Sequence, residues 1–153
     1  MTVSPIRVTT RRYSFQVDRD TNPSYPLGLA VHLPSVAVDI ARHVIGAEFT
    51  ECVIAIFVDS RQRVSGYAEI ARGTVNAARL SPRDVLVPAL HAGCPTLVLA
   101  HNHPTQDPTP SPADRSMTAA LRDACAIVGL RLLDHLIVTR TGYFSFRETQ
   151  SWT

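Results

Sequence analysis

The stretch LAHNHPTQDPTPSPAD, residues 99–114, constrains this chain more than any other. It starts inside an apolar run, TLVLA at residues 96–100, which reads as a short buried strand leading straight into His101. It ends in Ser111-Pro112-Ala113-Asp114, the opening of a helix with Ser at the N-cap, Pro next and a carboxylate three residues on. Between them stand Pro104, Pro108 and Pro110, and with Pro112 they make four prolines within nine residues of His103. Each fixes φ and removes an N–H, so the chain must pass from strand to helix through a loop of restricted shape.

His101 and His103 are two residues apart at the end of that strand, where extended backbone turns both side chains to one face. Asp114 follows at the third position of the next helix. Two neutral imidazoles and one carboxylate are the donor set that catalytic zinc takes, with a fourth position left for water. The same residues also have a plain structural reading. Ser111 and Asp114 form a capping box, and the histidines can be satisfied polar groups at a strand end.

The remaining pattern predicts a mixed α/β sandwich without a regular βαβ repeat. SVAVDIARHVIG (35–46) has a Ser cap, helical spacing and a closing Gly. ECVIAIFVD (51–59) reads as a buried strand, and VSGYAEIA (64–71) as its return. SPRDVLVPALHAG (81–93) predicts a helix that Pro88 kinks or splits. The clearest helix is SPADRSMTAALRDACAIVG (111–129), and RLLDHLIVT (131–139) with YFSF (143–146) predicts a closing hairpin. Residues 1–33 are set apart as an N-terminal extension before a domain at 34–153; IRVTTRRYSFQV (6–17) suggests a strand and DRDTNPSYPLG (18–28) a turn. Arg7, Arg11, Arg12 and Arg19 make that extension basic, either as a solvated face or as a docking arm.

At 153 residues the chain has room for one domain with a core of its own. A net charge of +2 does not by itself point to nucleic acid or a membrane. Cys52, Cys94 and Cys125 are an odd number in apolar runs with no CxxC pair, which predicts buried free thiols and a reducing, cytoplasmic setting. No run reaches the roughly 20 apolar residues of a membrane span.

Two decoys are excluded. The letters HNH at 101–103 match a nuclease name, but that motif spreads over a ββα unit; starting it at Asp134-His135 fails because no Asn or His follows. Zinc deaminases need H-x-E and a later P-C-x-x-C, and neither occurs. A metal hydrolase also needs a proton carrier. Glu51 opens a buried strand and is the geometric candidate, whereas Glu48 lies in the preceding loop; a Glu at a strand mouth can equally just face solvent.

His101-x-His103, seven residues, Ser111, two residues and Asp114 resemble the JAMM metalloprotease signature of the MPN/JAB superfamily. The nearer resemblance is to the RadC family of bacterial JAB-domain proteins, through ECVIAIFVDSRQRV, GTVNAARLSPRDVLVPAL, LVLAHNHPTQDPTPSPAD and LRLLDHLIVTRTGYFSF, about 100 residues in four ordered blocks. The resemblance implies a three-layer JAB/MPN (cytidine-deaminase-like) fold, a mixed sheet between helices. It implies His101, His103 and Asp114 as zinc ligands, Glu51 as general acid/base and Ser111 as a donor to the oxyanion. Asp134 and His135 match the family's DH pair, as supports for the ligands or as purely structural residues. Where the family loop reads HNHP-Ser-Gly, this chain has Thr105-Gln106, which removes an easy positive-φ position. The helical DNA-binding-type region that precedes the domain in many RadC proteins has no counterpart in residues 1–50.

The function implied is zinc-dependent hydrolysis of an amide or isopeptide bond, with a protein or peptide, such as a ubiquitin-like conjugate, as partner. A second expectation is a DNA-repair or anti-restriction protein that binds DNA or a partner, and a third is a metal-dependent nuclease on the same ligands. Oligomeric state is left open.

Overall fold

The computed structural model describes Ala30, residues 34–73 and residues 80–150. The strand, turn and basic arm expected within residues 1–28 lie outside the described residues.

Five strands form one mixed sheet in the order β2-β1-β3-β4-β5. β1 (Cys52–Val58) and β3 (Thr96–Asn102) sit at its centre, and both are buried at every position. This is why both read as near-continuous apolar runs rather than as alternating ones. β2 (Val64–Arg72) is an edge strand, and its inward and outward residues alternate accordingly. β4 (Arg131–Val138) pairs parallel to β3, the other pairings are antiparallel, and β5 (Tyr143–Ser145) closes a hairpin on β4.

Helix α1 (Pro34–Ile45) covers one face of the sheet, and α2 (Pro82–Ala92) and α3 (Pro112–Ile127) cover the other. The result is an α/β three-layer sandwich, the JAB/MPN arrangement. Strand parity assigns each side chain to a layer. Cys52, Ile54, Ile56, Val58, Val98 and Ala100 pack with Ala37, Ile40 and Ala41 of α1. Val53, Ala55, Phe57, Leu97 and Leu99 pack with Val85 of α2 and Leu121 and Cys125 of α3. All three cysteines are buried and free, as their apolar settings predict.

Three local expectations are corrected. Ser35 is not the cap of α1, because the helix already includes Pro34, whose fixed φ suits a first turn. Pro88 does not split α2, which runs unbroken from Pro82 to Ala92 and ends on Gly93 at φ +63. Only Asp84 loses an intrahelical partner to Pro88, and that loss falls in the first turns of a short helix. Finally, β3 does not stop at Ala100 but continues through His101 and Asn102, paired on both sides.

Gly46 is required where it stands. A Cβ there would lie 2.5 Å from the Arg42 carbonyl oxygen, against which the chain turns out of α1 toward β1.

Candidate metal centre

The centre forms where the ends of β1 and β3 meet the start of α3. Val53 pairs with His101 in the antiparallel register. Continuing that register two residues sets Glu51 opposite His103, on the face that α3 covers. α3 buries a stripe of Asp114, Met117, Thr118, Leu121 and Cys125, so its first-turn carboxylate points at the same sheet face. Glu51, His101, His103 and Asp114 each offer one donor atom there, all within 4.8 Å of one another.

The capping box and a ligand role for Asp114 are compatible, because the cap uses Oδ2 and leaves Oδ1 toward His101. Asp114 Oδ2 accepts from the Ser111 N–H at 2.7 Å and from the Ser111 hydroxyl at 2.6 Å. Oδ1 faces His101 Nε2 at 3.3 Å. The Ser111 hydroxyl also accepts from the Asp114 N–H at 3.1 Å, which completes the reciprocal cap.

The hydrogen bonds behind the histidines set their tautomers. The Thr118 hydroxyl donates to the Asp114 carbonyl at 2.6 Å, so toward His135 Nδ1, also 2.6 Å away, its oxygen can only accept. His135 therefore carries its hydrogen on Nδ1 and accepts on Nε2 from His101 Nδ1–H at 2.9 Å. Burial drives both imidazoles to the neutral form, pushing His135 well below its ordinary range and His101 down to about 4. His101 Nε2 is thus a lone pair. His103 donates Nδ1–H to the Asp107 carbonyl at 2.7 Å, which leaves its Nε2 for a cation as well.

The two Nε2 atoms lie 3.0 Å apart, and His103 Nε2 is 3.7 Å from Asp114 Oδ2. Two lone pairs and a carboxylate facing one another require positive charge between them. The hydrogen bond to Asp114 raises the His103 pKa, so a proton can supply that charge. A divalent cation supplies it better, and the spacing fits: Zn–N bonds of about 2.0–2.1 Å in a tetrahedron set donor atoms about 3.3 Å apart. Burial opposes ionisation of Asp114, but the His103 hydrogen bond, His101 and Ser111 together hold it well below the usual carboxylate range.

Glu51 is half-buried, and its pKa is raised by burial and by the charge of Asp114, with His103 acting in the opposite direction. Apolar Val53, Leu80, Leu99 and Met117 line the pocket beside these groups.

The structure separates the DH pair. His135 buttresses His101, and Phe146 stacks on its ring at 5.0 Å and 6°. Asp134 points away from the centre, to the face of α1. It accepts from the Ser145 hydroxyl at 2.6 Å, the His135 N–H at 2.7 Å and the Arg147 N–H at 3.1 Å, and so fastens the C-terminal turn. Thr118 is a site residue that sequence reasoning missed. Its only sequence signal is a position four residues after Asp114, on the same helical face.

The substituted loop position is also resolved. Gln106, where the family pattern has Gly, adopts φ +67. Its side chain donates to the Pro104 carbonyl at 3.3 Å and accepts from the Arg140 N–H at 3.0 Å.

Comparisons with known proteins agree with this geometry. The model of the RadC-like JAB domain family matches residues 31–151. The chain is 35% identical over 118 residues to a UPF0758 protein of Actinobacillus pleuropneumoniae serotype 5b (strain L20), covering 77% of this chain and 54% of that protein. It is 43% identical over 98 residues to a UPF0758 protein of Vibrio cholerae serotype O1, covering 64% and 61%. Against a UPF0758 protein of Thermotoga maritima it is 44% identical over 98 residues, covering 64% and 44%. The chain spans about half the length of the curated relatives it matches. With the sheet order, the converging His101, His103 and Asp114, and a match across residues 31–151, this chain belongs to the RadC-like JAB domain family.

Proposed function

We propose that the chain is a zinc-dependent hydrolase of the JAMM type, acting on an amide or isopeptide bond of a protein or peptide. The observation that supports it most is the placement of half-buried Glu51, with its raised pKa, within 4.8 Å of the donor atoms of His101, His103 and Asp114. Zinc held by these three would supply a Lewis acid for the scissile carbonyl and lower the pKa of a water to about 7.

The chain's own residues then divide the work. Glu51 takes the proton of the attacking water and returns it to the leaving amine, and its raised pKa brings it toward the range in which a carboxylate can do both. The Ser111 hydroxyl, now donating to Asp114 Oδ2, can turn to a developing oxyanion, because the Ser111 N–H still holds that carboxylate oxygen. Apolar Val53, Leu99 and Met117 keep the surroundings poor in water, which strengthens both interactions.

The test is turnover of isopeptide- and peptide-linked fluorogenic substrates by zinc-loaded protein. Glu51→Gln should lower turnover by about 100-fold or more and still bind one zinc per chain. Unchanged turnover in Glu51→Gln would refute the mechanism. Cleavage of DNA without cleavage of any amide would favour a nuclease instead.

A further inference from the structure

The middle residue of His101-Asn102-His103 takes no part in the chemistry described above, yet it is 2% exposed and has all its polar atoms bonded. Strand alternation turns Asn102 to the face opposite the two histidines, where the chain leaves α1 and enters β1. Its Oδ1 accepts from the Cys52 N–H at 2.7 Å. Its Nδ2 donates to the Thr50 carbonyl at 3.0 Å and the Glu48 carbonyl at 3.2 Å. One amide therefore grips the backbone on both sides of Glu51.

We propose that Asn102 is the positioning residue for Glu51, fixing the backbone from which its carboxylate reaches the metal centre. The inference rests on the reading of Glu51 as the acid/base of that centre. Two further contacts limit the same segment. The Gly73 N–H donates to the Glu51 carbonyl at 3.0 Å, and Arg72 pairs with the Glu48 carboxylate at 2.7 Å. Both come from β2 and its exit, across the sheet edge, whereas Asn102 ties the segment directly to the strand that carries the ligands. The distance between base and ligands is thereby set within one tripeptide.

The chemistry of the contact selects asparagine. Two carbonyls and one N–H require two donors and one acceptor in a single plane, which the Asn amide supplies. Asp would turn a charged acceptor toward two carbonyls, and Gln would carry the amide one methylene too far.

The experiment compares wild type, Asn102→Ala, Glu51→Gln and the double variant, by amide hydrogen exchange and by turnover of the amide substrates named above. Amide hydrogen exchange in metal-free protein should accelerate tenfold or more at residues 48–52 in Asn102→Ala, with β3 and β4 amides unchanged. Asn102→Ala should lower turnover about tenfold or more in the wild-type background and by less than twofold in the Glu51→Gln background, because its effect passes through Glu51, while every variant still binds one zinc per chain. A purely structural role would lower turnover equally in both backgrounds, and that result would overturn the proposal. So would exchange at 48–52 within twofold of wild type, or a turnover that Glu51→Gln lowers and Asn102→Ala does not. If Glu51→Gln leaves turnover untouched, the acid/base reading itself fails. The exchange result then decides alone whether Asn102 holds the segment. Should Asn102→Ala fail to fold, Asn102→Ser, which leaves a hydroxyl and room for a water, carries the same comparison.

Discussion

His101 Nε2 and His103 Nε2 lie 3.0 Å apart, and the partners of their other ring nitrogens leave both as lone-pair donors. A centre built this way offers its donors to a divalent cation. Zinc at about a thousand times its Kd should therefore stabilise the fold by about 4 kcal/mol, raising Tm on the order of 10 °C. Calorimetry with and without chelator measures this. In a His101→Ala/His103→Ala variant the shift should vanish, and a shift of the same size there would refute the ligand assignment.

Thr118 is expected to matter more than its ordinary appearance suggests. Thr118→Val keeps the shape and removes the oxygen that accepts from His135 Nδ1–H, leaving a buried donor unpaired. The fold should lose about 1–3 kcal/mol, and metal affinity should fall roughly 10- to 100-fold as His101 loses its fixed tautomer. Urea unfolding and zinc competition titrations report the two effects separately. Wild-type affinity would show that the relay does not orient His101.

The metal-free protein should lose stability as the pH falls from about 6.5 to about 4. His101 is pushed down to about 4 by burial and His135 also lies well below the ordinary value, so the unfolded chain takes up protons that the folded chain refuses. At about 1.4 kcal/mol per tenfold, His101 alone accounts for about 3 kcal/mol of that loss. His103 acts the other way. Its raised pKa adds stability below the unfolded value, and that part disappears as the pH rises through the folded value. Glu51 and Asp134, raised by burial, act in the same direction as His103, but the large depressions of the two fully buried histidines set the net loss on the acid side, measurable as a falling urea midpoint.

At Gln106 strain and hydrogen bonding compete. A non-glycine residue at φ +67 costs about 1–2 kcal/mol, offset here by the bonds to Arg140 and Pro104. Gln106→Ala keeps the strain and loses the bonds, so it should be destabilised by about 1 kcal/mol, whereas Gln106→Gly should stay within about 0.5 kcal/mol of wild type. Equal thermal stability of the two variants would show that the positive φ carries no cost.

Ser145→Ala separates the two halves of the DH pair. It removes a buried donor to Asp134 and should destabilise the fold by about 1–3 kcal/mol while leaving zinc affinity within about twofold. A tenfold loss of zinc affinity would mean that Asp134 reaches the centre after all.

Much of this was legible in the chain itself. Continuous apolar runs announced β1 and β3, and Ser-Pro-x-Asp announced the starts of α2 and α3, because burial on both faces and helix capping are chemistry among neighbouring residues. His101 and His103 could be placed on one face by spacing alone. Pro88 does not split α2, because the single hydrogen bond it removes, at the Asp84 carbonyl, is tolerated in a helix packed through Val85 and Ala89.

What only the tertiary structure decided is which distant residues meet. Glu51 reaches His101, His103 and Asp114 because β1 pairs with β3 in the register Val53–His101, and one residue of slip would turn it to the α1 face. Asp134 and His135 part company because adjacent strand residues face opposite layers, with a register shift at Leu97/Val98 fixing which faces which. Thr118 and Asn102 make bonds to residues 17 and about 50 positions away, and no local pattern records those partners. Capping and periodicity are local and can be read from the sequence, whereas the candidate metal centre depends on strand register and layer packing, which exist only once the sheet has formed.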